Sequence, residues 1–185
     1  MIEILWAGWR GQYLASLLGR SVVPSTATTE LGDHDPRSVF TRLLESGLAD
    51  EEIHVVHRSR SVFVILNAYP YSVGHAMVLP YRQVAELDEL TDTETTDLWA
   101  TVTRLCRAIR TEYAPHGLNV GINMGPAAGG SVNEHLHVHV VPRWTGDSNF
   151  LAATANAKAI PEALDVTATR LRAALRDPES ESEPT

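Results

Sequence analysis

The stretch NEHLHVHVVPRW, residues 133–144, places a histidine at every second position: His135, His137 and His139. Apolar residues fill the positions between them, and this alternation is typical of a strand, because successive side chains of a strand point to opposite faces. The pattern predicts a strand over 135–142 with three imidazoles on one face and a buried face behind them: Leu136, Val138 and Val140. Neighbouring imidazoles on that face would lie about 7 Å apart, near enough to share a ligand.

Three interpretations of this histidine face are open on the residues alone. A solvent-exposed face would be better served by Thr, Lys or Glu than by three histidines. Histidines two positions apart can supply two zinc ligands, but the chain has a single cysteine, Cys106, and Glu134 points to the opposite face. The third interpretation is phosphorus chemistry, because a neutral imidazole is a nucleophile near pH 7 and its neighbours can donate hydrogen bonds to phosphate oxygens.

A glycine-rich loop, GPAAGGSVN (125–133), precedes the histidines and favours the phosphorus interpretation. Glycines let backbone N–H groups approach an anion closely, so such a loop can bind phosphate. The chain has a formal net charge of −8, and the charge of a phosphate must therefore be met by local donors. A glycine-rich loop alone is weak evidence, but one that leads into alternating histidines is a strong indication.

Length and composition restrict the class of protein. A chain of 185 residues favours one domain, and 44% hydrophobic with 21% charged residues is typical of a globular protein with an ordinary core. One cysteine excludes an internal disulfide and favours a reducing, cytoplasmic location. The negative net charge argues against nucleic acid as a partner, and the sequence lacks the run of about 18 apolar residues that a membrane span needs.

The chain divides into three predicted parts. Residues 1–36 form an N-terminal extension that is expected to pack on the domain, 37–176 form the domain, and the acidic end 177–185 is expected to be disordered. A short helix is expected to start at Asp35-Pro36, and a long amphipathic helix at the capping box of Thr91 and Glu94. Strands are predicted at 53–58, 61–67, 75–80, 118–124 and 135–142, and a last helix at 161–176. This order predicts an α+β fold with an antiparallel sheet of about five strands, one long helix and a C-terminal helix.

The string HLHVHVV (135–141) resembles the signature of the histidine-triad (HIT) superfamily of nucleotide hydrolases and transferases. The segment LNAYPYSVGHAMVLPYRQV (66–84) is similar to the family's upstream segment, and NVGINMGPAAGGSVNEHLHVHVVPRW (119–144) is similar to its phosphate loop and triad. The resemblance covers about residues 53–144 and implies a HIT-like fold. Within the superfamily, LWAGWRGQYL (5–14) and HVVPRW followed by GDSNF resemble the branch that includes bacterial diadenosine tetraphosphate phosphorylases.

The resemblance implies a two-step nucleotidyl transfer. His137, the middle histidine, would attack the α-phosphorus of a nucleotide substrate, expel the rest of the polyphosphate and form a covalent nucleotidyl-histidine. For its Nε2 to attack, its Nδ1–H must be fixed by an acceptor, which in the family is a backbone carbonyl. His135 and His139 would flank it, with His139 donating to a phosphate oxygen, and His75 would join from the neighbouring strand.

The resemblance also implies residues that bind the nucleotide. Asn67 matches the ribose-binding position, and Asn123 a polar contact beside the phosphates. The loop and the residue after the triad segment complete the set: Gly129, Gly130, Ser131 and Trp144. Two assignments have structural alternatives, since Asn67 could simply open the turn before Pro70 and His75 could be a hydrogen-bonded residue at the start of a strand.

The second-step acceptor is indicated by a departure from the family's pattern. Many hydrolases of the family carry glutamine after the loop glycines, where this chain has Gly129-Gly130-Ser131. The resemblance then favours phosphate as the acceptor. The reaction would convert diadenosine tetraphosphate and phosphate to ADP and ATP. Two alternatives stay open: a hydrolase that uses water on dinucleoside polyphosphates or AMP-amides, and a nucleotide-binding module without turnover.

A second departure concerns metal. Some family members carry Cys-x-x-Cys before the first strand, completed by histidines further on, whereas this chain has Ser38 and Thr41 there and Gln83 where a histidine often stands. Neutral hydroxyls and an amide are poor zinc ligands, so no metal site and no tightly bound cofactor are expected, with Mg²⁺ entering only on the substrate. The family usually pairs, and a homodimer or higher homo-oligomer is therefore expected.

Overall fold

The computed structural model describes residues 35–130, 132–147 and 162–176. The predictions for the N-terminal extension up to residue 34, for Ser131 and for the acidic end lie outside these ranges. The elements in chain order are α1 (Val39–Leu44), β1 (Val55–Arg58), β2 (Val62–Leu66), β3 (Ala76–Pro80), α2 (Asp92–Tyr113), β4 (Gly117–Ile122), β5 (Val138–Arg143) and α3 (Leu164–Leu175). Within the described ranges, none of the helices combines the length and the hydropathy that a bilayer span requires.

The five strands form one antiparallel sheet in the order β1-β2-β3-β5-β4, which confirms the predicted α+β fold. β5 begins at Val138, so the prediction of a strand from residue 135 was wrong at its start. The reason is that the N–H of Leu136 donates to the carbonyl of Val84, in the loop after β3, rather than to a neighbouring strand (2.6 Å). His135 and His137 therefore lie in the segment that leads into β5.

The two faces of the sheet carry different layers. α2 and α3 pack on one face, where the apolar side of the long helix is 4% exposed or less: Leu98, Val102, Leu105 and Ile109. The apolar residues between the histidines join this core, as predicted: Leu136, Val138 and Val140. α1 packs on the opposite face with a smaller apolar cluster that includes Phe40, Met77 and Leu79. Since each fully buried aliphatic side chain contributes about 1.5–3 kcal/mol, the α2–α3 side supplies the larger part of the apolar stabilisation.

Local hydrogen bonds determine where α1 and α2 begin. Thr91 caps α2 and forms the predicted capping box: its Oγ1 accepts from the N–H of Glu94 (3.3 Å), and the Glu94 carboxylate accepts from the N–H of Thr91 (2.9 Å). α1 is capped by Ser38 and not, as predicted, at Asp35, because the Asp35 carboxylate accepts from the N–H and guanidinium of Arg37. The helix therefore starts at Val39, and Ser38 lies in the interior.

Candidate active site

A pocket opens between α1 and the histidine face of the sheet. Its walls are mostly apolar and include Val39, Phe40, Leu43, Ile53, Met77 and Val132. Its lining also brings together residues from separate segments of the chain that can contact a polar ligand, among them Asn67, Tyr71, Asn123, Gly130, His137 and His139. An apolar cleft with a few convergent polar groups is the usual form of a small-molecule site.

His137 is held in a defined tautomer. Its side chain is nearly buried, and its Nδ1 lies 2.8 Å from the carbonyl oxygen of His135. A carbonyl can only accept, so Nδ1 carries the proton and Nε2 of the neutral ring keeps its lone pair. Burial lowers the pKa of His137 below that of a free imidazole, although the bond to the carbonyl opposes this. The imidazole therefore stays neutral, and able to act as a nucleophile, to a lower pH than an exposed histidine.

His75 and His139 form a second hydrogen-bonded unit. The N–H of Tyr71 donates to Nδ1 of His75 (3.0 Å), so the proton of the neutral His75 ring is on Nε2. That nitrogen lies 3.0 Å from Nδ1 of His139, which accepts, and the proton of His139 is therefore on its own Nε2. The ring centroids of His137 and His139 are 4.8 Å apart. A ring with a protonated Nε2 thus lies beside the ring whose Nε2 has a lone pair.

His135 takes a different position from the other two histidines of the stretch. Its ring is fully buried and bonded within the protein at both nitrogens: Nε2 to the carbonyl of Pro80 (2.9 Å) and Nδ1 to Oγ of Ser38 (2.6 Å). Burial lowers the pKa of His135. The ring packs edge-on against Phe40, at 5.6 Å between centroids, and is not among the described side chains that line the pocket. This differs from the expected flanking role, because the chain turns before β5 begins.

Asn67 and Asn123, the two predicted amides, both line the pocket. The side-chain oxygen of Asn67 accepts from the N–H of Tyr69 (2.9 Å), so this residue does open a turn as well as face the pocket. The alternative of a turn residue and the expectation of a ribose contact are therefore compatible, since the turn uses the oxygen and not the nitrogen of the amide.

The loop residues are only partly brought to the pocket. Gly130 lines it, and a Cβ at this position would lie 3.2 Å from Cβ of Asn123, so a side chain would press on that asparagine. Gly129 and Trp144 are not among the described lining residues, and Ser131 lies outside the described part of the chain. Of the predicted loop residues, Gly130 thus lies at the pocket, and the contributions of Gly129, Ser131 and Trp144 stay predictions.

Three residues at this site were missed in the sequence. The ring of Tyr71 lies over that of His75, at 4.6 Å between centroids, and the ring of Phe40 lies 5.6 Å from that of His137. The side-chain oxygen of Asn133 is buried beside Gly130 without a hydrogen-bond partner among the described residues. The available signals were an aromatic residue four positions before His75 and a polar residue at the end of the glycine-rich loop.

A sheet whose histidine face holds a neutral imidazole beside a glycine-rich loop defines the class of this protein. Residues 49–146 match the family described as HIT domain, and the chain belongs to this family.

Named proteins and solved structures similar to this chain are known. An AP-4-A phosphorylase of Mycobacterium tuberculosis is 45% identical over 163 residues, which cover 88% of this chain and 79% of that protein. An asymmetrical bis(5′-nucleosyl)-tetraphosphatase of Schizosaccharomyces pombe is 36% identical over 93 residues, which cover 50% of each chain. Among solved structures, a zinc-bound histidine triad family protein from Mycobacterium smegmatis has a TM-score of 0.62 and 27% identity, with 78% of this chain and 97% of that chain covered.

The residues at the position of the family's Cys-x-x-Cys do not fit a zinc ion. The N–H of Ser38 and the hydroxyl of Thr41 both donate to the side-chain oxygen of Gln83 (2.6 and 3.1 Å), and the Ser38 hydroxyl contacts His135. These hydroxyl and amide oxygens are poor ligands for zinc, and they already bond to one another. In the described ranges, groups of three or more His, Cys, Asp or Glu suited to a metal are absent.

Proposed function

We propose that the protein transfers AMP from a dinucleoside polyphosphate to inorganic phosphate through a covalent AMP–His137 intermediate. With diadenosine tetraphosphate as substrate, the products are ADP and ATP. The observation that carries the proposal is the 2.8 Å bond from Nδ1 of His137 to the carbonyl of His135, which leaves Nε2 as an unprotonated nucleophile in a ligand-sized pocket. The 45% identity to the AP-4-A phosphorylase of M. tuberculosis supports the substrate class and the acceptor.

In the first step, Nε2 of His137 attacks the α-phosphorus and a P–N bond forms as the bond to the bridging oxygen breaks. ATP leaves with the bonding electrons on that oxygen. His139 donates a hydrogen bond from its Nε2 proton to the charged oxygens, and His75 keeps the proton on that nitrogen. Backbone N–H groups at Gly129 and Gly130 meet the remaining charge of the α-phosphate.

In the second step, inorganic phosphate attacks the same phosphorus. The P–N bond breaks, ADP forms, and His137 returns to its neutral state. Asn123 and Ser131, with the loop glycines, are assigned to the phosphates in this step. The stretch Gly129-Gly130-Ser131 stands where many hydrolases of the family have glutamine after the loop glycines, and the absence of glutamine is consistent with an acceptor other than water.

The nucleoside occupies the apolar part of the pocket. The base packs against Phe40, Ile53 and Met77, and the amide of Asn67 contacts the ribose. Burial of a flat base between apolar side chains supplies binding energy with little selection between bases. Trp144 is retained as a proposed nucleotide contact on the resemblance alone.

A competing function is hydrolysis, in which water replaces phosphate as the acceptor and the products are AMP and ATP. The 36% identity to the tetraphosphatase of S. pombe favours this alternative. Both functions share the first step and the same intermediate. They differ only in the acceptor, phosphate or water, that attacks the phosphorus of the AMP–His137 intermediate.

Product analysis with labelled phosphate separates the two functions. Incubation with diadenosine tetraphosphate and ³²P-labelled inorganic phosphate is expected to give ATP without label and ADP that carries the label on its β-phosphorus, in equal amounts. Without phosphate, at most one AMP per chain is expected to be transferred, together with one ATP released. Unlabelled AMP and ATP, formed at a rate that phosphate does not change, would reject the phosphorylase and support the hydrolase.

The assembly and metal content are part of the same proposal. The protein is proposed to be a cytoplasmic homodimer without a resident metal, and Mg²⁺ acts only as a complex with the polyphosphate. The mutual hydrogen bonds of Ser38, Thr41 and Gln83 support the absence of zinc. Native mass spectrometry is expected to give the mass of two chains without added metal. A mass of one chain, or one zinc ion per chain, would contradict the corresponding part.

A further inference from the structure

Ser38 caps α1, but its side chain does more than a cap requires. Its Oγ accepts from the N–H of Thr41 (3.1 Å), which is the capping bond, and it also lies 2.6 Å from Nδ1 of His135. A cap needs one acceptor oxygen, and an exposed Ser, Asp or Asn supplies it equally well. Ser38 and His135 are instead both fully buried, so the contact joins two interior polar groups that are 97 positions apart in the chain.

The position of each proton in this contact follows from its partners. The carbonyl of Pro80 can only accept, so the proton of the neutral His135 ring is on Nε2, which donates to it (2.9 Å). Nδ1 of His135 is then an acceptor, and the hydroxyl proton of Ser38 points to it. The hydroxyl of Thr41 donates to the side-chain oxygen of Gln83 (3.1 Å), so the two hydroxyls do not compete. A single assignment satisfies the ring and both hydroxyls.

The ring of His135 is connected to the nucleophile through its own backbone. The carbonyl of His135 accepts from Nδ1 of His137 (2.8 Å), which is the bond that sets the tautomer of His137. The N–H of the same peptide unit belongs to Leu136 and donates to the carbonyl of Val84 (2.6 Å). A shift of the His135 ring would therefore move the carbonyl against which the nucleophile is aligned.

We infer that Ser38 is a positioning residue for the nucleophile: its hydroxyl holds the ring of His135 and, through the backbone of that residue, the orientation of His137. The inference rests on the proposed function, in which His137 attacks phosphorus. Because Val84 holds the same peptide unit from the other side, loss of the Ser38 hydroxyl weakens the alignment without abolishing it. Misplacement of a reacting group by a fraction of an ångström to 1 Å lowers a rate by about 10- to 100-fold, and this is the loss of kcat expected.

Three substitutions at Ser38 and one control separate positioning from helix capping. Ser38→Gly removes the hydroxyl but keeps most of the capping ability of the position, whereas Ser38→Ala removes both. Ser38→Thr retains the hydroxyl. Thr91→Ala removes the hydroxyl cap of α2, which has no contact with His135, and is the matched control for loss of a cap.

The readouts are kcat and KM for diadenosine tetraphosphate with phosphate, and the ¹⁵N signals of the His135 ring. The wild-type protein is expected to show a single Nε2–H tautomer of His135. Ser38→Gly and Ser38→Ala are expected to lose about 10- to 100-fold in kcat with KM within about twofold, and to show a mixture of tautomers. Ser38→Thr is expected to keep more than half of kcat, and Thr91→Ala to match the wild-type protein in kcat and in the His135 signals.

A folded Ser38→Gly protein with wild-type kcat and a single His135 tautomer would overturn the inference, and the glycine variant decides the matter if the alanine variant does not fold. A loss of kcat in Thr91→Ala as large as that in Ser38→Gly would overturn it as well, because capping would then be the cause. These results are distinct from failure of the proposed function. If His137→Asn is inactive while Ser38→Gly is fully active, only the role of Ser38 is rejected.

Discussion

Replacing His137 by asparagine is expected to lower kcat for diadenosine tetraphosphate by about 10⁴-fold or more, with KM within a few-fold of the wild-type value. Asparagine offers no lone pair that can attack phosphorus, but its amide N–H can take the place of Nδ1–H and donate to the carbonyl of His135. The pocket is therefore kept while the nucleophile is lost. Intact-mass measurement on a reaction without phosphate should show an AMP adduct on the wild-type chain and none on the variant.

His116→Asn is the matched control for this experiment. His116 is exposed, precedes β4 and bonds through Nδ1 to the hydroxyl of Thr145 (3.0 Å), and it is not among the described residues that line the pocket. Its replacement should leave kcat and adduct formation unchanged. Turnover by His137→Asn within about tenfold of wild type would reject the covalent mechanism. If the wild-type protein binds the nucleotide but gives neither product nor adduct, the result would instead support a nucleotide-binding module without turnover.

The second large effect concerns stability. Leu105→Ala is expected to lower the free energy of unfolding by about 2–5 kcal/mol, because Leu105 of α2 is fully buried in the core shared with α3 and the sheet, and its truncation leaves a cavity. Urea denaturation followed by circular dichroism measures the change. Since Leu105 belongs to the core on the side of the sheet opposite the histidines, the folded variant is expected to retain kcat close to wild type.

Leu48→Ala supplies the control, because the same side chain is removed from a position that is 51% exposed in the loop after α1. Its free energy of unfolding should stay within about 0.5 kcal/mol of wild type. A Leu105→Ala protein as stable as Leu48→Ala would contradict the assignment of this face as the main core. A folded Leu105→Ala protein without turnover would contradict the separation of core and pocket on the two faces.

The fold was largely accessible from local patterns. The spacing of apolar residues predicted the buried side of α2, and the alternation in HLHVHVV predicted which residues face the core. Both patterns work because helix and strand geometry fix the direction of each side chain relative to its neighbours. The limits of β5 and the cap of α1 were misplaced, since Leu136 bonds to Val84 and Asp35 to Arg37, and such competing partners leave no signal in the alternation.

The site was accessible in part, through the resemblance of two sequence segments to the HIT superfamily. His137, His139, Asn67 and Asn123 do converge on one pocket. Ser38 was not assigned to the site, because its partner there is the ring of His135, 97 positions away in the chain. Tyr71 lines the pocket and donates its N–H to His75, but an aromatic residue four positions before a histidine is a weak signal. A contact such as that of Ser38, between residues distant in the chain, leaves no pattern in a single sequence.

The sequence by itself determined that the three histidines share a side of the sheet and that apolar residues cover the other. Only the tertiary structure decided what each imidazole does. The period of a strand fixes direction, but the protonated nitrogen of a ring is fixed by its hydrogen-bond partner. For His135 those partners are Pro80 and Ser38, 55 and 97 positions away, and they keep its ring out of the pocket. For His137 the partner is the carbonyl two residues before it, which leaves Nε2 as the nitrogen that can attack phosphorus.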